Sequence, residues 1–231
     1  MGMSSSPFAF EERKVKKIMV FGDSNSWGLN PVDGSRYENR WPKVMAKALK
    51  DEYEVVEENI SGRTTMWDDY YVSCRNGKDG LLYALASQTP LDMIIFALGV
   101  NDLKYTDPIG SYKGMEELVR IAKNADAIIP LPQNYPNYPN GLKILLLSEV
   151  HLHSQLQKIK PLSSIRNKYP ESTEYAKYYK AIADRQCVDY MDLAEVVSTP
   201  SEVDGIHLTE DQHIIIGLAV AEKVKRIYSK E

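Results

Sequence analysis

The sequence predicts an α/β fold, a three-layer α/β/α sandwich around a five-stranded parallel sheet, and two observations carry that prediction. Residues 17–21, 53–57, 93–98, 143–147 and 187–191 read as short strands, each followed by a polar or glycine-containing loop. Helical patterns at 41–49, 79–88, 115–128 and 173–185 separate them, and alternation of this kind favours parallel pairing through right-handed crossovers.

Taken in order, the first strand ends in Gly22-Asp23-Ser24-Asn25. Gly22 permits a tight turn there, so the Ser24 hydroxyl stands at the start of the next segment among backbone N–H groups. The second strand leads to Ser61-Gly62-Arg63-Thr64-Thr65, where Gly62 offers a backbone N–H with no side chain in the way of a ligand. The third run is apolar enough to be buried on both faces and delivers Gly99-Val100-Asn101-Asp102, whose Asn101 amide is a candidate donor to a developing oxyanion. After the fourth strand come His151 and His153, read as loop histidines lining the cleft, because no third ligand for a metal is evident. The fifth strand starts at Cys187, taken as a small buried hydrophobe, and ends in Asp192-Leu193-Ala194-Glu195, a ready helix start. Thr209-Glu210-Asp211-Gln212 is a capping-box pattern opening a C-terminal helix to about residue 228, and it anchors Asp204-Gly205-Ile206-His207 just ahead of it.

Because all strand ends of a parallel sheet share one edge, Ser24, Gly62 and Asn101 are expected to converge where open α/β sheets hold their ligands. Asp204, three residues before His207, is placed to accept the Nδ1 proton and leave Nε2 facing Ser24. Each signal alone has an ordinary explanation: Asp23 and Ser24 as turn or cap residues, Gly62 as a turn glycine, Asp204 and His207 as a solvated pair beside a helix. Together they supply a nucleophile, oxyanion donors and an oriented base, the parts that acyl transfer through serine needs. A flavodoxin-like phosphate- or nucleotide-binding protein, with residues 23–28 cradling the phosphate, fits the strand pattern but leaves Asp204 and His207 without a role. It also lacks a Gly-rich or Lys-bearing phosphate signature. A non-catalytic binding module on the same fold is the remaining alternative.

These residues resemble the SGNH hydrolases, the GDSL-type esterases and lipases, whose Ser, Gly, Asn and His blocks occur here in the family's order. Ser26-Trp27-Gly28, Arg40-Trp41-Pro42, Pro90-Leu91-Asp92 and Asn101-Asp102-Leu103-Lys104 are similar to the arylesterase and acyltransferase branch, and the likeness covers most of residues 17–228. The resemblance implies a flavodoxin-like SGNH hydrolase fold, with Ser24, Asp204 and His207 as the catalytic triad. It implies an oxyanion hole from the N–H groups of Ser24 and Gly62 with the Asn101 side chain. Asn25 stands where the family has Leu, and segments 129–141 and 150–170 are particular to this chain. Trp27, close to Ser24 in sequence, is taken as a substrate-binding residue.

The 231 residues, 43% of them hydrophobic, are enough for one domain with a sizeable core, and no linker divides them. The core is set at about 17–228, with residues 1–16 as a flexible or peripheral extension. A net charge of -4 excludes the basic footprint of a nucleic-acid binder. Cys74 and Cys187 have no CxxC partner, so no structural disulfide is expected. No signal-peptide core or membrane span is visible, which predicts a cytoplasmic protein. The tyrosines of 169–179 and the pair Tyr70-Tyr71 read as core or interface residues. The expected partner is a small-molecule ester, with no cofactor or metal needed. A homo-oligomer is expected, with segments 129–141 and 150–170 near its contact and near the site edge. The polar make-up of those segments predicts short acyl chains over long ones.

Overall fold

The computed structural model describes residues 15–129 and 136–229. Strands β1 (Lys16–Gly22), β2 (Tyr53–Asn59), β3 (Met93–Ala97), β4 (Lys143–Ser148) and β5 (Asp189–Asp192) form a five-stranded sheet in the order β2-β1-β3-β4-β5. Every neighbouring pair is parallel. The helices are α1 (Ser24–Trp27), α2 (Trp41–Leu49), α3 (Gly77–Gln88), α4 (Pro108–Lys123), α5 (Ala125–Ile128), α6 (Leu156–Ile159), α7 (Tyr169–Ser172), α8 (Tyr175–Gln186) and α9 (Glu210–Tyr228).

Side chains alternate along each strand, and both faces are covered. Met19, Phe21, Ile94, Phe96, Ile144 and Leu146 pack with buried residues of α3, α4 and α8, whereas Ile18, Val20, Met93, Ile95, Leu145 and Leu147 pack with α2 and α9. That two-sided burial is why the central strands read as unbroken apolar runs. The strand order reverses between β1 and β3, paired in register from Ile18 and Met93 to Gly22 and Ala97, so the crevice of the fold opens past the ends of these two strands.

Local chemistry sets the element boundaries. α2 falls where the sequence puts it, with Pro42 in its first turn. α9 opens on the expected capping box, Thr209 Oγ1 accepting from Gln212 N and Gln212 Oε1 from Thr209 N. Asp192 Oδ1 accepts from Ala194 N and starts a short 3-10 turn over Leu193–Glu195. α4 begins at Pro108, seven residues before the expected 115, because Asp107 caps it by accepting from Gly110 N at 2.8 Å. Gly110 and Gly114 hide the helix from an apolar-periodicity reading, yet Gly114 is needed: a Cβ there would stand 1.9 Å from Thr65 Oγ1.

Two expectations are corrected. Cys187 is exposed and adopts the left-handed conformation (φ 52°) that closes α8, so β5 begins at Asp189 rather than 187. The described end of segment 129–141, residues 136–141, does not border the edge that holds Ser24. Residues 130–135 lie outside the described residues. Asn137 O accepts from Leu91 N and Asn140 Nδ2 donates to Asp92 Oδ1, which puts this part of the segment at the opposite, N-terminal ends of β3 and β4. Residues 1–14 also lie outside the described residues, and Lys16 already belongs to β1.

Candidate active site

β1 is extended and apolar up to Gly22, where a Cβ would come within 2.3 Å of Ser26 Oγ, so only glycine lets α1 turn back this tightly. Asp23 caps α1 by accepting from Asn25 N at 2.9 Å, which puts Ser24 at the first helical position. Ser24 Oγ lies 2.9 Å from His207 Nε2, and His207 Nδ1 lies 2.6 Å from Asp204 Oδ2. A carboxylate only accepts, so Nδ1 carries the proton and the Nε2 lone pair faces the hydroxyl.

The loop that carries this pair is tied at several points. Asp204 Oδ1 accepts from the backbone N–H groups of Ile206 and His207, both at 3.0 Å, and Lys160 Nζ reaches Oδ2 at 3.5 Å. Burial pushes the Asp204 carboxyl up, but the hydrogen bond and charge of His207, with the two backbone donors, outweigh it and hold the group well below the usual carboxylate range. His153 N donates to Gly205 O, and Ser201 N to His207 O. Asn25 Nδ2 donates to Ile206 O at 3.4 Å, bridging α1 to this loop across the cleft.

On the β3 side, Gly99 (φ 146°) starts a 3-10 turn over Val100–Lys104. The buried tyrosines of α8 hold its entry: Tyr179 Oη donates to Leu98 O at 2.7 Å and Tyr175 Oη to Gly99 O at 2.8 Å. Asn101 is fixed at both ends of its amide, with Nδ2 donating to Asp23 Oδ2 at 2.8 Å and Oδ1 accepting from Lys104 Nζ at 2.7 Å. An acceptor-only carboxylate at one end and a donor-only ammonium at the other admit a single amide orientation. One Nδ2 hydrogen is used by Asp23, and the second is available for a ligand oxygen.

Asp102 is fully buried and joins this turn to the Gly62 loop, its oxygens accepting from Thr65 N at 2.8 Å and Thr65 Oγ1 at 2.6 Å. Burial dominates there, and despite the two Thr65 bonds the Asp102 carboxyl is pushed up to about 7. Gly62 sits at φ 83°, and a Cβ would strike Arg75 Nε at 2.4 Å, so both the turn and the Arg75 guanidinium require glycine.

Ser24, Gly62, Asn101 and His207 line one cavity of about 250 Å³. Leu29, Ile165 and Ile206 supply its apolar wall, and Arg75, Lys104 and Lys160 its cations. Lys160, Ser163 and Ile165 belong to segment 150–170, which therefore borders the site as expected. Two sequence expectations differ. Trp27 lines no part of this cavity; its ring lies under the Arg36 guanidinium, 5.0 Å from it, and its carbonyl accepts from Arg36 Nε. His151 and His153 do not line it either, His153 instead bracing Gly205. Of the two readings for Tyr70 and Tyr71, core or interface, their exposure rules out the core and leaves the interface open. Among the described residues no three His, Cys, Asp or Glu side chains gather as a metal-ligand set.

Sequence reasoning did not single out Glu149, Lys104, Asn25 and Asp102 as parts of the site. A signal for Glu149 was present: an acidic residue directly follows the apolar run of β4, at the same sheet edge as Ser24 and Asn101.

The chain matches the family model described as GDSL-like lipase/acylhydrolase over residues 20–213. Among solved structures it is similar to a carbohydrate acetylesterase from Sinorhizobium meliloti, with 33% identity and a TM-score of 0.80 over 92% of this chain and 99% of that one. It is likewise similar to an aryl esterase of M. smegmatis, with 34% identity, a TM-score of 0.80 and the same two coverages. A G-D-S-L family lipolytic protein from Veillonella parvula shares the fold at 14% identity, with a TM-score of 0.64 over 92% of this chain and 100% of that one. No curated protein sequence is similar enough to the chain to count as a match. No helix of the described residues is long and apolar enough to cross a membrane, and the family match over most of the chain together with the shared fold shows that the chain belongs to the GDSL-like (SGNH) esterase family and is a carboxylic ester hydrolase.

Proposed function

We propose that this esterase cleaves short-chain esters of aryl, alkyl or acetylated sugar alcohols through an acyl group carried on Ser24. The observation that carries this reading is the continuous chain from Ser24 Oγ through His207 to Asp204, at 2.9 and 2.6 Å. Ser24 Oγ attacks the ester carbonyl carbon as His207 Nε2 takes its proton, and Asp204 balances the imidazolium. The carbonyl oxygen, now negative, receives hydrogen bonds from Ser24 N, Gly62 N and the free Nδ2 hydrogen of Asn101. Collapse breaks the bond to the alcohol, which leaves with the proton from His207. Water then repeats the sequence on the acyl-enzyme and releases the acid, and an alcohol in the same place completes acyl transfer instead.

The cavity supports the short-chain preference. Leu29, Ile165 and Ile206 are its aliphatic side chains, set among serines, an amide and cations. A buried methylene is worth about 0.8 kcal/mol only where apolar surface receives it, so extra chain length gains little here. Comparison of kcat/KM for p-nitrophenyl acetate, butyrate, octanoate and palmitate tests this. The value is expected to peak at acetate or butyrate, and a rise toward octanoate or palmitate contradicts it.

A further inference from the structure

Behind the start of the Asn101 turn lies a buried carboxyl group that the reaction above does not use. Glu149 directly follows β4, is 7% exposed, and accepts from Val100 N through Oε2 at 2.9 Å. No N–H or hydroxyl faces its Oε1. Its hydrogen-bond neighbour is the carboxyl of Asp23, which has no solvent exposure. The Asp23 oxygens already accept from Asn25 N and Asn101 Nδ2. Two facing carboxylates, both acceptor-only, cannot hydrogen-bond each other; one of them must hold a proton.

We propose that Glu149 is that proton's holder and a positioning residue for the ester hydrolysis: neutral Glu149 donates through Oε1 to ionised Asp23, and Asp23 in turn holds the Asn101 amide toward the substrate's carbonyl oxygen. The donor set decides which partner is protonated. Asp23 faces two N–H donors besides Glu149 and lies near the Lys104 charge, whereas Glu149 accepts a single N–H. Burial, then the Asp23 charge, drives the Glu149 carboxyl well above its ordinary range, in agreement with that assignment. The same residue also holds the start of the turn, because the Val100 N–H that it accepts directly precedes Asn101. One proton thus keeps Asp23, Asn101 and the start of the turn in register.

This inference rests on Asn101 as an oxyanion donor, so the test uses the intact enzyme in two backgrounds, wild type and Asn101→Ala. Glu149→Gln keeps a neutral donor toward Asp23 and an acceptor toward Val100 N, and its kcat should stay within a few-fold of wild type. Glu149→Leu removes both and should lower kcat about 10- to 100-fold with KM little changed. In an Asn101→Ala background, Glu149→Leu should cost almost nothing more, since Glu149 acts through Asn101. Fluorophosphonate labelling of every variant reports folded enzyme with a reactive serine. If Glu149→Gln loses as much kcat as Glu149→Leu, or if Glu149→Leu and Asn101→Ala are additive, the proposal is overturned. If Asn101→Ala alone leaves kcat unchanged, it is the oxyanion reading that fails. If Asn101→Ala lowers kcat while Glu149→Leu leaves it unchanged, the positioning role fails and the oxyanion reading stands.

Discussion

The two sides of the cleft treat the same functional group in opposite ways. On the α9 side, Asp204 is met by two backbone N–H groups, the His207 ring and Lys160, and its carboxyl is held far below its ordinary range. On the sheet side, Asp23, Asp102 and Glu149 are buried with fewer donors each, and burial raises all three. The charge of a buried acid is set by the balance between its burial and the donors and charges that face it, and only Asp204 has enough of the latter to stay ionised far below its usual range. The α9 side therefore keeps a permanent anion to orient and balance His207. The sheet side keeps a proton on Glu149, shared toward Asp23, and that proton helps to fix the turn that presents Asn101.

The largest effect that tests this division is on the α9 side. Ser24→Ala and His207→Ala should each abolish most ester turnover, and the double variant should be hardly worse than either, because the two act as one unit. Steady-state rates that multiply instead of plateauing would separate their roles. Asp204→Asn comes next: the fold should persist while kcat falls by up to about 10⁴-fold, since an amide in that place mis-sets the imidazole tautomer. A rate near wild type would remove Asp204 from the reaction.

Stability against pH should show the contrast directly, with a smaller amplitude. Asp102 rises from 3.8 unfolded to about 7 folded, so its contribution is whole below about pH 4 and is lost as the pH climbs through 7. Asp204 is lowered on folding, so its contribution is present above its unfolded value of 3.8 and is lost as the solution becomes more acid. Urea unfolding of Asp102→Asn, whose amide still serves both Thr65 bonds, should therefore lose part of the wild-type decline between about pH 4 and 7. Asp204→Asn should soften the acid limb instead. Curves that run parallel to wild type in both variants would mean that neither carboxyl is perturbed as described.

Self-association is the smallest expected effect. The exposed Tyr70, Tyr71 and Tyr83, and the border of the site by segment 150–170, support at least a dimer. Light scattering after size exclusion at micromolar concentration should give a mass above one chain; a monomer there contradicts it.

Much of this was legible in the sequence for a physical reason: a parallel sheet turns sequence order into a shared edge. The apolar runs ending at Gly22 and Ala97 announced where Ser24 and Asn101 would lie, and the capping box at Thr209 fixed the loop that carries His207. What was not legible depends on contacts between distant segments. Glu149 and Asp23 are 126 residues apart (149 − 23), and Thr65 meets Asp102 across 37 positions, so no local pattern records either pairing. Trp27 shows the converse error: adjacency to Ser24 in sequence says little when the intervening helical turn rotates the side chain onto Arg36. The left-handed Cys187 and the early start of α4 were missed because a cap and a tight helix contact outweighed propensity.

The central claim is that Ser24 carries the acyl group, and a mass measurement tests it most directly. Enzyme mixed with p-nitrophenyl acetate and quenched in acid within the first turnovers should gain one acetyl group, mapped by peptide sequencing to Ser24 and absent from Ser24→Ala. An acetyl group on another residue, or none at all while p-nitrophenol is still released by the Ser24→Ala variant, would contradict the account.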